Sequence, residues 1–276
     1  MEIPFLKMHG AANDFVVIDH RDPRLELPLA PLVRRMCDRR RGVGADGVLL
    51  LERDGELDFR MRYFNSDGGQ AEYCGNGARC LARLALDLGL GRSGEVRFRT
   101  DAGVQSARRV GEGRYEVSFG RVARPERRDG LDAAGRRFDG WLSRPGVPHF
   151  VIAVERVATV PLAEWGAAIR RHPSFGADGA NVDFLEKRGA SHVGMRTFER
   201  GVEAETLACG SGAIACGLAR AVEGERPPVT VTTAGGDDLH VSWRADGNDF
   251  VVGLEGPAEV AFAGRWSLEN HVPLGR

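Results

Sequence analysis

Cys74-Gly-Asn-Gly-Ala-Arg-Cys80 returns later in the chain as Cys209-Gly-Ser-Gly-Ala-Ile-Ala-Cys216. The offset, 209 − 74 = 135, is close to half of the 276 residues. The surroundings return in the same order. Asp14-Phe-Val-Val-Ile18 reappears as His149-Phe-Val-Ile-Ala153, also 135 residues on. Gly44-Ala-Asp-Gly47 matches Gly176-Ala-Asp-Gly179, Arg62-Tyr-Phe-Asn65 parallels Arg196-Thr-Phe-Glu199, and Thr100-Asp-Ala-Gly103 parallels Thr232-Thr-Ala-Gly235. Five collinear matches identify two homologous halves, and a period this long gives two units of domain size rather than a solenoid. One half covers residues 1–122, completed by 262–276; the other covers 123–261.

Periodicity within each half alternates between strand and helix. Asp14–Asp19, Gly47–Glu52, Asp58–Phe64, Glu95–Thr100 and Tyr115–Phe119 are rich in Val, Ile, Phe and Tyr and read as strands. Pro31–Arg39 and Gly75–Leu88 read as helices, the second with Leu81, Leu84, Ala85 and Leu88 on one face and Gly89 and Gly91 to stop it. The second half repeats this with strands at Val193–Glu199 and Val229–Thr233 and a helix at Gly210–Val222. Polar, Arg-rich 121–144 holds the crossover, with an edge strand or two. The expected class is α+β, each half a mostly antiparallel curved sheet around a central helix.

Composition narrows the chemistry. A formal charge of −1 gives no basic footprint for nucleic acid, and no apolar run approaches the ~18 residues of a membrane helix. The first ten residues lack a secretory pattern, and five cysteines are an odd number, so reduced thiols in the cytoplasm are expected. Lys7 and Lys187 are the only lysines, and neither lies in a motif for a pyridoxal-phosphate Schiff base. A Cys₄ metal site fails on spacing, because six helical residues turn Cys80 about 240° away from Cys74. Cys37, Cys80 and Cys216 are expected to be small core residues.

Each Cys-Gly-[Asn/Ser]-Gly stands where a loop becomes a helix. There the free N–H groups and the helix dipole favour a thiolate, so both thiol pKa values are expected to fall toward neutrality. The glycines let backbone N–H groups approach an anion. Base and carboxylate cradle thus come from the same few residues, twice. One thiolate removing an α-proton while an opposed thiol delivers another inverts the centre without a metal or an organic cofactor, provided the site stabilises the dianionic carboxylate. The expected activity is cofactor-independent racemisation or epimerisation.

In these motifs the chain resembles diaminopimelate epimerase. Similar stretches are Lys7-Met-His-Gly10, Asn13-Asp-Phe15, Phe64-Asn-Ser-Asp67, Glu199-Arg-Gly201 and Thr206-Leu-Ala-Cys-Gly-Ser-Gly212, together with the first cysteine motif, so the matches span essentially the whole chain. The resemblance implies two pseudo-symmetric domains with the active site between them, a homodimer, and a small amino-acid substrate bearing two carboxylates. It implies interconversion of LL- and meso-diaminopimelate. By position, Cys74 and Cys209 are implied as acid and base. Gly75, Asn76, Gly210 and Ser211 would bind the reacting carboxylate through backbone N–H groups. Asn13, Asn65, Asn181, Glu199 and Arg200 would hold the rest of the substrate, and His149 and Glu199 would support the thiols. Three departures touch substrate fit: Val147 where the family commonly has Asn, Gly47 where some members have Gln, and one extra residue within Val202–Thr206. They leave open a related racemase for another amino acid, histidine for example. A non-catalytic binding protein is the other alternative, against which both retained cysteines argue.

Overall fold

The structure is a computed structural model that describes residues 2–22, 25 and 29–268. Its elements in chain order begin β1 (Glu2–Gly10), β2 (Asn13–Asp19), α1 (Ala30–Cys37), β3 (Gly47–Glu52), β4 (Phe59–Asn65), β5 (Gln70–Ala71), α2 (Gly75–Asp87), β6 (Glu95–Thr100), β7 (Gly103–Gly111) and β8 (Arg114–Ala123). They continue with β9 (Glu126–Ala133), β10 (Arg136–Ser143), β11 (His149–Val154), α3 (Leu162–Arg170), β12 (Asn181–Lys187), β13 (His192–Glu199) and β14 (Ala204–Thr206). The last are α4 (Gly210–Val222), β15 (Val229–Thr232), β16 (Asp238–Asp246), β17 (Asp249–Pro257) and β18 (Glu259–Ser267).

Contacts divide the chain into one unit of residues 1–117 with 257–276 and a second of 118–256. One division falls inside β8 and the other at the end of β17. Of the C-terminal segment assigned to the first half, 269–276 lie outside the described residues. Its earlier residues belong to β18, which pairs antiparallel with β1 from Glu2↔Ser267 to His9↔Glu259.

The units share one plan. In the first, β2–β3 run parallel, β3–β4 antiparallel and β4–β6 parallel. The second repeats the sequence with β11–β12, β12–β13 and β13–β15. Helix α2 lies against β1–β4, β6 and β7, and α4 against β10–β13, β15 and β16. On the opposite sheet face a core of Val16, Ile18, Val48, Leu50 and Phe64 packs with Val33 and Met36 of α1. The second unit answers with Phe150, Ile152, Val182, Phe184 and Phe198, with Leu162 and Ile169 of α3. The class is α+β, with mixed sheets.

These two cores correct the register of the repeat. Val16→Phe150, Ile18→Ile152, Val48→Val182, Leu50→Phe184 and Phe64→Phe198 all lie 134 residues apart. The pairings agree, since Phe15↔Gly47 corresponds to His149↔Asn181. Successive strand side chains point to opposite faces, so the 135-residue match of Asp14 with His149 would turn every core residue outward. His149 therefore corresponds to Phe15, and Val147 to Asn13. The Gly-Ala-Asp-Gly match is displaced likewise, because Asn181, not Gly179, takes the place of Gly47. The offset becomes 135 in one turn: Phe64↔Gln70 matches Phe198↔Glu205, so the extra residue lies in the loop carrying Arg200.

Both central helices end alike. Leu90 N–H donates to Ala85 O and Glu225 N–H to Arg220 O, around Gly89 at φ 75° and Gly224 at φ 95°. Helix α1 stops at Cys37, two residues short of the expected end, because the Asp38 carboxylate accepts from the N–H groups of Arg40 and Arg41 and turns the chain.

Candidate active site

Cys74 and Cys209 occupy the same structural position. Each is the N-cap of its central helix, extended at φ −145°, ψ 117° and φ −126°, ψ 110°. Their carbonyls accept the first helical bonds, from Ala78 at 2.8 Å and Ala213 at 2.9 Å. The N–H groups of Gly75, Asn76, Gly210 and Ser211 lie in the first turns of their helices without an intrahelical backbone acceptor, and the Gly212 N–H bonds back to the Cys209 thiol. Cys80 and Cys216 are fully buried, as is nearly all of Cys37. Burial pushes the Cys80 thiol up to about 12 and that of Cys216 well above the ordinary value.

Around Cys74 the groups are amides, and beneath them lies a cation. The Cys74 thiol lies 3.7 Å from Asn13 Oδ1, which also accepts from Asn76 Nδ2 at 3.2 Å. Asn13 Nδ2 donates to Asp46 Oδ2 at 2.7 Å. Under Asn76 the fully buried Arg79 donates from Nη2 to Asn76 Oδ1 at 2.7 Å and from Nε to Pro257 O at 3.2 Å, while Nη1 has no partner among the described residues. Burial lowers the Arg79 pKa. Behind Asn13, Asp14 takes Lys7 Nζ at 2.6 Å and both Arg39 terminal nitrogens, one of which also reaches Asp46. Burial alone would raise Asp14, but the hydrogen bonds and charges of Arg39 and Lys7 outweigh it and hold the carboxyl at about 2.

Around Cys209 the groups form a buried polar chain. Cys209 Sγ lies 3.5 Å from Ser211 Oγ, which lies 2.9 Å from His149 Nε2. His149 Nδ1 is 2.7 Å from Asp183 Oδ2, and Thr197 donates to Asp183 Oδ1 at 2.7 Å. Asn181 is fixed by Arg200, whose backbone N–H donates to its Oδ1 at 2.7 Å. Asn181 Nδ2 then points to Pro148 O and to His149 Nε2, at 3.3 and 3.2 Å. The expected fall in thiol pKa does not hold at Cys209. Burial pushes it up, the charges of Glu199 and Asp183 add to that, and the Ser211 hydroxyl and the Gly212 N–H only partly oppose them.

The remaining expected residues sit at strand ends. Asn65 and Glu199 close β4 and β13, equivalent positions of the two units. Arg200 is half-buried, and among the described residues its guanidinium has no carboxylate partner, which leaves it able to take an anion bidentately. Val147, in the place of Asn13, offers no polar side-chain atom. Arg79, Asp46, Asp183 and Thr197 were not among the residues singled out from the sequence. The available signal was a carboxylate inside the apolar run Val182-Asp-Phe-Leu185, and an arginine on the buried face of a helix.

Comparison with known proteins follows the same lines. A family model described as diaminopimelate epimerase matches twice, over residues 5–124 and 142–261. The diaminopimelate epimerase of Aquifex aeolicus is 41% identical over 277 residues, covering 96% of this chain and 98% of the relative. That of Azoarcus sp. is 40% identical, covering 97% and 100%. Among solved structures, a phenazine biosynthesis protein of the PhzF family from Bacillus anthracis superposes with a TM-score of 0.73 at 15% identity, covering 97% of this chain and 100% of its own. A probable proline racemase from Agrobacterium radiobacter gives 0.72 at 16% identity, covering 98% and 94%. Likeness at that identity concerns the fold.

Proposed function

The chain belongs to the diaminopimelate epimerase family, and from that premise we propose that it interconverts LL- and meso-2,6-diaminopimelate by two-thiol proton transfer at the α-carbon, in the supply of lysine and peptidoglycan precursors. The observation that carries the mechanism is the matched pair of N-cap cysteines, each beside first-turn N–H groups suited to a carboxylate. One thiolate, Cys74 or Cys209, removes the α-proton; the other thiol delivers a proton to the opposite face, and the roles exchange with direction. The backbone N–H groups of Gly75, Asn76, Gly210 and Ser211 hold the reacting carboxylate and offset the charge that develops on it. Asn13, Asn65 and Asn181 take polar substrate groups, Glu199 an ammonium, and Arg200 the distal carboxylate. His149 and Glu199 tune the thiol of Cys209. In this reading the reaction needs neither metal nor pyridoxal phosphate. The protein works as a cytoplasmic homodimer without a nucleic-acid or membrane partner; no helix among the described residues is long and apolar enough to cross a membrane.

The test is isotope exchange in D₂O with reduced protein free of added cofactor. LL-diaminopimelate should gain one α-deuterium as meso product forms, and Cys74→Ala and Cys209→Ala should each abolish turnover. Val147, standing where Asn13 stands in the other unit, favours a second reading with a different amino-acid substrate. Silence with diaminopimelate but exchange with another amino acid would establish that one.

A further inference from the structure

The two units differ where they should be most alike. Phe15, Leu49 and Tyr63 of the first correspond to His149, Asp183 and Thr197 of the second, all facing the central helix. Phe15 and Tyr63 form an edge-to-face aromatic pair with centroids 5.9 Å apart, and Leu49 is fully buried. The second unit replaces this with a buried imidazole, carboxylate and hydroxyl, of which His149 and Asp183 have no exposed surface. The scaffold therefore tolerates an apolar filling, and burying a carboxylate costs several kcal/mol unless it is fully bonded. Asp183 also shapes the helix, since a Cβ on Gly212 would come within 2.6 Å of its Oδ1.

The carboxylate and the oriented amide set one consistent direction for these hydrogen bonds. A carboxylate only accepts, so His149 Nδ1 carries the hydrogen that Asp183 receives. Asn181, oriented by Arg200 N–H, presents a donor to Nε2, which is therefore bare. The single Nε2 lone pair then takes the Ser211 Oγ–H, the closer donor at 2.9 Å against 3.2 Å for Asn181 Nδ2, whose amide also donates to Pro148 O, and in this arrangement the Cys209 S–H turns to Ser211 Oγ. We propose that Asp183 is a positioning residue which, through His149 and Ser211, gives Cys209 an internal proton acceptor. Cys209 passes its proton to Ser211 Oγ as Ser211 passes its own to His149 Nε2. The S–H and O–H bonds break, new O–H and N–H bonds form, and thiolate and imidazolium remain with the imidazolium against Asp183. The reverse transfer restores the thiol. This rests on the reading of Cys209 as one of the two bases. The other titratable groups acting on Cys209 and its neighbours are Glu199 on β13 and Cys216 further along α4.

Within the relay, Cys209 forms its thiolate without exchanging a proton with solvent. Wild-type kcat/KM should be flat around neutrality. In Asp183→Asn and Ser211→Ala, Cys209 must lose its proton to solvent. Activity at neutral pH should then fall roughly 10²–10⁴-fold and recover about tenfold per pH unit above it, and Asp183→Glu should restore part of the flat profile. A profile of unchanged shape and lower height would make Asp183 merely structural. One displaced to lower pH would make it a through-space charge. Either overturns the relay. A readout in the wild-type protein needs no variant to fold: ¹⁵N-histidine NMR should show His149 as the Nδ1–H tautomer, and an Nε2–H tautomer overturns the proposal. Retained turnover in Cys209→Ala, by contrast, would count against the two-thiol reading itself.

Discussion

Arg79 and Arg200 adjoin the two cysteine loops and do opposite things. Arg79 is sealed in, holding Asn76 and the carbonyl of Pro257. Arg79→Ala would open a cavity and leave both acceptors unsatisfied, so unfolding in urea should show a loss of about 2–4 kcal/mol. Arg200 holds nothing with its guanidinium among the described residues. Arg200→Lys should therefore leave stability unchanged and raise KM for diaminopimelate roughly 10–100-fold, with kcat much less affected, as loss of a bidentate contact requires. Asp14 sets a third expectation. Its folded pKa of about 2 lies below the unfolded value, so it contributes stability above pH ~4 that is lost as pH falls toward 2. The shift corresponds to about 2 kcal/mol. Urea unfolding at pH ~3 and ~6 should show it, and Arg39→Ala should reduce the difference.

At the scale of elements, most of what the sequence offered was the repeat itself. The strands that carry branched and aromatic residues, both central helices, and the stop glycines of the first were legible because a buried face and a C-cap leave patterns in one segment alone. The register of the repeat was not. Asp14 and His149 match by letters, and only the alternation of Val16 and Ile18 against Phe150 and Ile152 shows the slip. Helix α3 was missed, having Gly166 mid-helix where Phe198 crowds it, and so was the Asp183 network, whose members are far apart in sequence. The glycines of the helices divide by the same logic. Gly89 has φ 75° and open space around its Cβ position, so Gly89→Ala should cost about 1 kcal/mol in melting experiments and leave turnover intact. Gly212→Ala has an ordinary backbone but no room beside Asp183. It should cost about 1–3 kcal/mol and also reduce kcat, because relief of the clash displaces the carboxylate that orients His149.

For the whole molecule the decisive strand is the last. Strands β1 and β18 were both invisible as strands from local pattern: β18, Glu259–Ser267, exposes most of its residues, and β1 carries Pro4 and alternates irregularly. Yet β18 makes the first unit discontinuous in sequence. It pairs along nearly all of β1, Trp266 packs on the core with Ile3 and Phe5, and Gly264 leaves room for the Phe5 ring, which a Cβ would meet at 2.6 Å. The second unit is continuous, and among the described residues its core from Leu131 to Phe198 draws on none outside 118–256. During synthesis the first unit must therefore wait for β18, while the second has all its strands earlier. A chain ending at Pro257 would leave the outer edge of β1 unpaired and bare the Ile3–Phe5 face, so the first unit should unfold. Limited proteolysis of that truncated chain should degrade residues 1–117 and leave a resistant fragment near 118–256. Loss of both units together would show instead that the second cannot hold its fold alone, and equal resistance of both would show that β18 is dispensable.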